Sequence, residues 1–185
     1  GYWAITRHAD VIEASKNPQL FCSGSGVNIP DVPPEFNEFF GSMINMDDPR
    51  HARFRKIVSA GFTPRMMASL MDGVERTATE VVDRIAGLGE CDFVTEVASR
   101  LPLVIICDMM GIDPDRYDEV FHLSNIVLSN GDPEYIDPED NPLEAFLKAG
   151  AGLAEIMNET AEARRGGDGT DLTSMLVNAE VDGER

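Results

Sequence analysis

From Val74 onward, apolar residues recur mostly at steps of three and four: Val74, Ala78, Val81, Val82, Ile85 and Leu88. That spacing predicts one face of an amphipathic helix, with Gly87 and Gly89 marking its stop. Just upstream, Thr63-Pro64 reads as an N-cap followed by a first-turn proline, opening a short helix with Met66, Met67 and Leu70 on its core side. The stretch Leu101 to Met110 is too rich in apolar residues for a one-faced helix, so it is expected to be buried nearly all round, with Gly111 ending it. Asp113-Pro114 caps the next helix, to about Ser129, and Asn141-Pro142 begins another that ends at Arg164-Arg165-Gly166-Gly167. Thr170 is expected to cap a last helix through about Ala179. The first residues, Gly1 to His8, have the aromatic and β-branched content of a strand, yet no second convincing strand follows, so its partner is expected outside the chain. The fold class is therefore mainly α, with one N-terminal strand lacking its partner. Residues 1–185 read as one incomplete domain with no internal boundary. Long loops fall at about Ser23 to Met46 and Gly131 to Asn141.

Composition narrows the function. Acidic residues outnumber Lys and Arg by 33 to 15, a net charge of −18. This works against nucleic acid and against an anionic membrane surface as partners, since both need clustered cations. No apolar run approaches the roughly 20 residues of a membrane-spanning helix. Cys22, Cys91 and Cys107 are odd in number and lack metal-ligand spacing, so reduced thiols in a cytoplasmic protein are expected. Ser23-Gly24-Ser25-Gly26 contains Gly-x-Gly but nothing sets it between a strand and a helix, and it reads as a loop rather than a phosphate cradle. The acidic run Asp132 to Asp140 lacks the ligand order of a calcium loop.

One segment departs from the acidic background: Asp47-Asp48-Pro49-Arg50-His51-Ala52-Arg53-Phe54-Arg55-Lys56-Ile57-Val58. Asp48 fits as cap and Pro49 as first-turn residue, while Phe54, Ile57 and Val58 can face a core. His51 and Arg55, four apart, project from one face. Two readings fit this pattern: a solvated basic face paired with local acids, or a site for a carboxylate or phosphate with Arg55 forking onto it and His51 adding a donor.

The run Met46 to Arg65 closely resembles the C-helix region of the bacterial cytochrome P-450 haem-thiolate monooxygenases. Trp3 to Val11 with Asn17 to Phe21 is similar to the family's first strand and B helix. Asp92-Phe93-Val94 through Leu101-Pro102-Leu103, then Met110 to Pro114, is similar to its E helix and the step into its F helix; Asp171 to Arg185 is similar to its H helix. The resemblance covers the chain in order and implies a partial P-450 fold, from the B to the H helix region. It implies haem b as cofactor, with His51 and Arg55 on a haem propionate, and a ferredoxin-type electron donor with its reductase meeting Arg53 and Lys56. It further implies that the loop after the B helix and the F–G region cover the substrate. Val27, Ile29, Phe36, Phe39, Val127 and Leu128 are the candidate lining residues; for the loop residues, simple anchoring of the loop is an equal alternative. The wording near Gly1 to Val11 and Asn130 to Tyr135 is most similar to members that hydroxylate sterol side chains or terpenoids.

Three family signatures are missing from their proper settings. The Phe-x-x-Gly-x-x-x-Cys loop with the thiolate ligand is absent. Gly166 to Thr170 and Glu162-Ala-Arg-Arg165 match the oxygen-activating and Glu-x-x-Arg motifs by letters only, and both lie in the wrong place. The thiolate is indispensable to the family's oxygen chemistry. The expectation is thus a piece of a monooxygenase for a lipophilic substrate, inactive by itself. The alternative is a small acidic helical binding protein that holds a ligand or partner with its basic helix.

Overall fold

The computed structural model describes residues 2–27, 29, 41–129 and 131–179, the side chains of Arg65 and Ser69 excepted. The described residues form helices and turns. The expected N-terminal strand is not formed: residues 2–6 carry no regular structure, Trp3 is 97% exposed, and helix α1 (His8–Lys16) follows directly. A strand exists only as part of a hydrogen-bonded ladder, and no described segment offers residues 2–6 one. Cα proximity divides the chain into two compact units, Gly1–Ser59 and Ala60–Arg185.

The first unit holds α1, a 3-10 turn at Met43–Asn45 and most of α2 (Arg50–Gly61). The second holds α3 (Pro64–Ile85), a π-helical turn at Val94–Ala98, α4 (Arg100–Met110), a 3-10 turn at Pro114–Arg116, α5 (Tyr117–Leu128), α6 (Pro142–Arg164) and α7 (Leu172–Val177). Two helices expected between Pro64 and Leu88 are one. Thr63 caps it, its hydroxyl accepting from the Met66 amide at 3.2 Å, and Gly73 is carried in its interior. A single glycine costs a helix only about 1 kcal/mol, which the packing of α3 on α4 overrides. Asp113 and Asn141 cap the elements they were expected to start.

Helix α4 differs from expectation in its burial. Only Cys107 is fully covered, and Ile106 is 53% exposed. The helix packs one side against α3, α5 and α7, and its apolar residues exceed what these neighbours cover. The core of the second unit is Cys107, Ile112 and Ile156, with Leu103, Met110, Tyr117, Val120, Leu123 and Met157 packed around them. Burial, with a smaller push from Asp108, raises the Cys107 thiol to about 11.

The N-cap of α7 is Asp171 rather than Thr170. Its carboxylate accepts from the Ser174 amide at 2.9 Å and the Ser174 hydroxyl at 2.7 Å, and takes Arg164 Nε at 3.1 Å. The other arm of Arg164 donates to the carbonyl of Gly111, the left-handed residue (φ 72°) that ends α4. A Cβ at Gly111 would stand 2.7 Å from both Arg164 and Asp171, so this junction tolerates no side chain there. Thr173 closes it by donating to the Met110 carbonyl at 2.6 Å. Burial pushes the Asp171 carboxyl up, but Ser174 and Arg164 outweigh it, and the net shift is below the ordinary carboxylate value. Asp171→Ala should therefore cost about 1–2 kcal/mol in urea unfolding at neutral pH, as for a lost N-cap. A carboxylate with a depressed pKa contributes stability above its unfolded value and loses it as pH falls through the folded one. The gap between wild type and variant should accordingly close as the medium is acidified below about pH 4.

Candidate functional site

The basic helix begins with two adjacent aspartates that do different work. Asp48 caps it, its Oδ1 accepting from the Ala52 amide at 3.1 Å, while the Asp47 carbonyl accepts from the His51 amide at 2.9 Å. The Asp47 carboxylate turns away to the loop after α1. Its Oδ1 accepts from the Ser23 amide at 2.8 Å and its Oδ2 from the Gly24 amide at 3.0 Å. The Gly24 amide is thus taken by the protein's own carboxylate and the Gly26 amide by the Ser23 carbonyl, so neither glycine amide is left for a phosphate. A Cβ at Gly24 would lie 2.5 Å from Asp47 Oδ2, so the approach requires glycine.

Beyond the first turn the cations of α2 stay open. Arg50 lies over the Phe54 ring at 5.9 Å, and Phe54 is 42% exposed rather than buried as expected; Ile57 and Val58 are half-buried. His51 is half-buried, its Nδ1 3.6 Å from Asp48 Oδ1. Among the described residues, Arg53, Arg55 and Lys56 are exposed and make no ion pair. In a chain of net charge −18 this is unusual, because acids are plentiful. His51 and Arg55, one turn apart, form a donor pair of the right chemistry for a carboxylate on a rigid group, and the residues present therefore fit a haem propionate.

The other sequence-derived candidates fall in both units. Val27 (50% exposed) and Ile29 (71% exposed) belong to the first. Val127, half-buried, and Leu128, 79% exposed, end α5 in the second. Phe36 and Phe39, with Val32 and Phe40 of the same loop, lie outside the described residues. Glu162 and Arg165, which match Glu-x-x-Arg by letters, form an exposed pair three residues apart at 2.8 Å.

Sequence reasoning missed a polar centre in the second unit. Asp108 accepts from the Tyr117 hydroxyl and lies 3.6 Å from Arg76. It borders a cavity of about 610 Å3 lined also by Met66, Leu70, Ile105 and Met175. Asp72 and Asp171 line it too, and its one cation, Arg76, lies within 4 Å of Asp108 and Glu80.

No protein-family model matches the chain. It is 43% identical over 188 residues to a methyl-branched lipid omega-hydroxylase of Mycobacterium tuberculosis, covering all of this chain and 43% of that protein. It is 35% identical over 190 residues to a steroid C26-monooxygenase of Mycolicibacterium smegmatis, again 100% of this chain and 43% of the relative. Among solved structures, a Mycobacterium marinum cytochrome P450 in complex with pseudoionone matches with a TM-score of 0.88 and 40% identity, over 100% of this chain and 45% of that one. Over its whole length the chain is similar to part of the bacterial cytochrome P450s. It spans less than half the length of the curated relatives it matches. The P450 family implies a haem whose iron is held by a thiolate. None of the three cysteines suits that role: Cys22 and Cys91 are exposed outside any Phe-x-x-Gly-x-x-x-Cys loop, and Cys107 is buried with its thiol held protonated.

Burial, reinforced by the Asp108 hydrogen bond and charge, raises the Tyr117 phenol well above its ordinary value. Tyr117→Phe should cost about 1.5–3 kcal/mol in urea unfolding at neutral pH, as for a lost hydrogen bond to a charged acceptor. A raised phenol contributes stability in full below its unfolded pKa, near 10, and loses it as pH rises toward the folded value. The difference between wild type and variant should shrink correspondingly under alkaline conditions.

Proposed function

We propose that residues 1–185 are part of a haem-thiolate monooxygenase that hydroxylates a lipophilic, branched small molecule of lipid, sterol or terpenoid type. The observation that carries this reading is the pair of half-buried His51 and exposed, unpaired Arg55 one turn apart on a basic helix, in a chain similar throughout to enzymes named for lipid and steroid oxidation. The bound haem supplies the oxygen chemistry. The residues of this chain hold and frame it: Arg55 forks onto a propionate, His51 adds a second donor, and both offset the cost of taking that carboxylate out of water. The iron ligand is a cysteine outside these 185 residues, so the isolated segment does not turn over. Val27 and Ile29 in the first unit, and Val127 and Leu128 in the second, are the described apolar candidates for meeting the substrate.

Electrons come from a ferredoxin-type donor with its reductase. Arg53 and Lys56 are exposed and unpaired among the described residues, and they offer an acidic partner two cations on an otherwise anionic protein.

The native gene product, reduced and exposed to carbon monoxide, should show a thiolate-type Soret band; the absence of any haem band would overturn this reading. Arg55→Ala should weaken haem binding about tenfold or more, the equivalent of one charge-assisted hydrogen bond, measured by transfer of haem to an acceptor protein. Arg53→Glu with Lys56→Glu should slow reduction by an acidic ferredoxin and flatten its dependence on salt, with haem content unchanged. A rate indifferent to the charge reversal would remove these residues from the docking face.

A further inference from the structure

The carboxylate of Asp47 serves neither as helix cap nor as cofactor ligand. Asp48 already caps α2, and the donors proposed to meet the cofactor are His51 and Arg55. Asp47 instead gathers two consecutive amides, Ser23 at 2.8 Å and Gly24 at 3.0 Å, from a segment 23–24 positions earlier in the chain. Two converging N–H groups on one carboxylate make a charge-assisted, bidentate contact whose geometry is far more restrictive than a single bond. Its backbone is fixed from both sides. Met46 before it is buried, and its own carbonyl accepts the first amide of the helix turn that carries His51. On the loop side, Gly26 takes a positive φ of 114° with its amide bonded to the Ser23 carbonyl at 2.9 Å, so the tied residues form a closed turn leading straight to Val27.

We propose that Asp47 is a positioning residue: its carboxylate locks the turn 23–26, and with it Val27, in register with the first turn of α2. The inference rests on the proposed reading of this helix as the haem-contacting element and of Val27 as a lining residue. It adds how the two are held to one frame. Gly24 is the obligate counterpart, because any side chain there would meet the Asp47 carboxylate at 2.5 Å and push it off the two amides. With the tie released, the helix keeps its Asp48 cap and its donors, while the lining segment loses its fixed distance from them. Substrate affinity should therefore suffer and haem retention should not.

The test uses the native full-length gene product with Asp47→Asn, Gly24→Ala and the double variant. Asparagine keeps one acceptor oxygen but turns an amino group toward the second amide, so the pair cannot both be satisfied. Hydrogen exchange at the Ser23 and Gly24 amides should accelerate about tenfold or more in each variant. Dissociation constants for pseudoionone and methyl-branched fatty acids, read from the haem spectrum, should rise about fivefold or more. Haem content and melting temperature should stay at the wild-type values, and the double variant should be no worse than the poorer single one, since both substitutions break the same contact. Unchanged exchange at Ser23 and Gly24 overturns the proposal. So does a loss of affinity matched by a loss of haem or of melting temperature, which would make Asp47 merely structural. A gene product with no haem band defeats the functional reading instead, and amide exchange then decides the tie by itself.

Discussion

Arg164 is the pivot of the second unit. One guanidinium, at the last turn of α6, is shared between the carbonyl that ends α4 and the carboxylate that begins α7. Each of these three helix ends would otherwise leave polar backbone groups without partners. Bringing them to one point satisfies them together: Asp171 caps α7, Thr173 of α7 reaches back to Met110, and Asn178 accepts from Gly166 and donates to the Arg164 carbonyl. The side chains of Arg164 and Asp171 are mostly shielded from water, at 30% and 19% exposure, so the pair is less screened than a surface bridge. The apolar core of Cys107, Ile112 and Ile156 lies in the same unit, and α4 and α6, which supply Cys107 and Ile156, are the helices this junction joins.

The first unit applies the same economy of polar groups at smaller scale. Adjacent aspartates at the head of α2 divide the tasks of capping and tethering, and they do so without neutralising the cations that follow. Among the described residues Arg53, Arg55 and Lys56 make no ion pair although acids outnumber bases two to one along the chain. Leaving them open keeps a local positive field on an otherwise anionic protein.

How much of this was readable beforehand depends on the range of the forces involved. The caps at Thr63, Asp113 and Asn141 were legible because they are local chemistry: a short polar side chain followed by a proline, bonding its own next turn. The His51–Arg55 pair was legible from a four-residue spacing. The Asp171 cap was misread by one position because Thr170 and Asp171 are both competent caps, and the choice fell to the residue that Arg164 also holds. The fusion of two helices across Gly73 was hidden for a similar reason, since a glycine weighs against a helix until its neighbours are known. Residues 2–6 carry no strand because composition only favours an extended chain while pairing makes a strand, and no described segment pairs with them.

The sequence alone determined the helical class, the order of the elements, the basic segment and the kinship that gives it meaning, because periodicity, capping and motif are all written within a few residues. Only the tertiary structure decided which aspartate binds which amide, that Ser23 and Gly24 of the Ser-Gly-Ser-Gly turn bind Asp47, and that Tyr117 and Arg76 meet on Asp108. These contacts join residues from 9 to 32 positions apart (Tyr117 and Arg76 from Asp108) or 23 and 24 apart (Gly24 and Ser23 from Asp47). A hydrogen bond is directional and short, so its partner is fixed by where packing brings the chain and not by what stands next to it in the sequence.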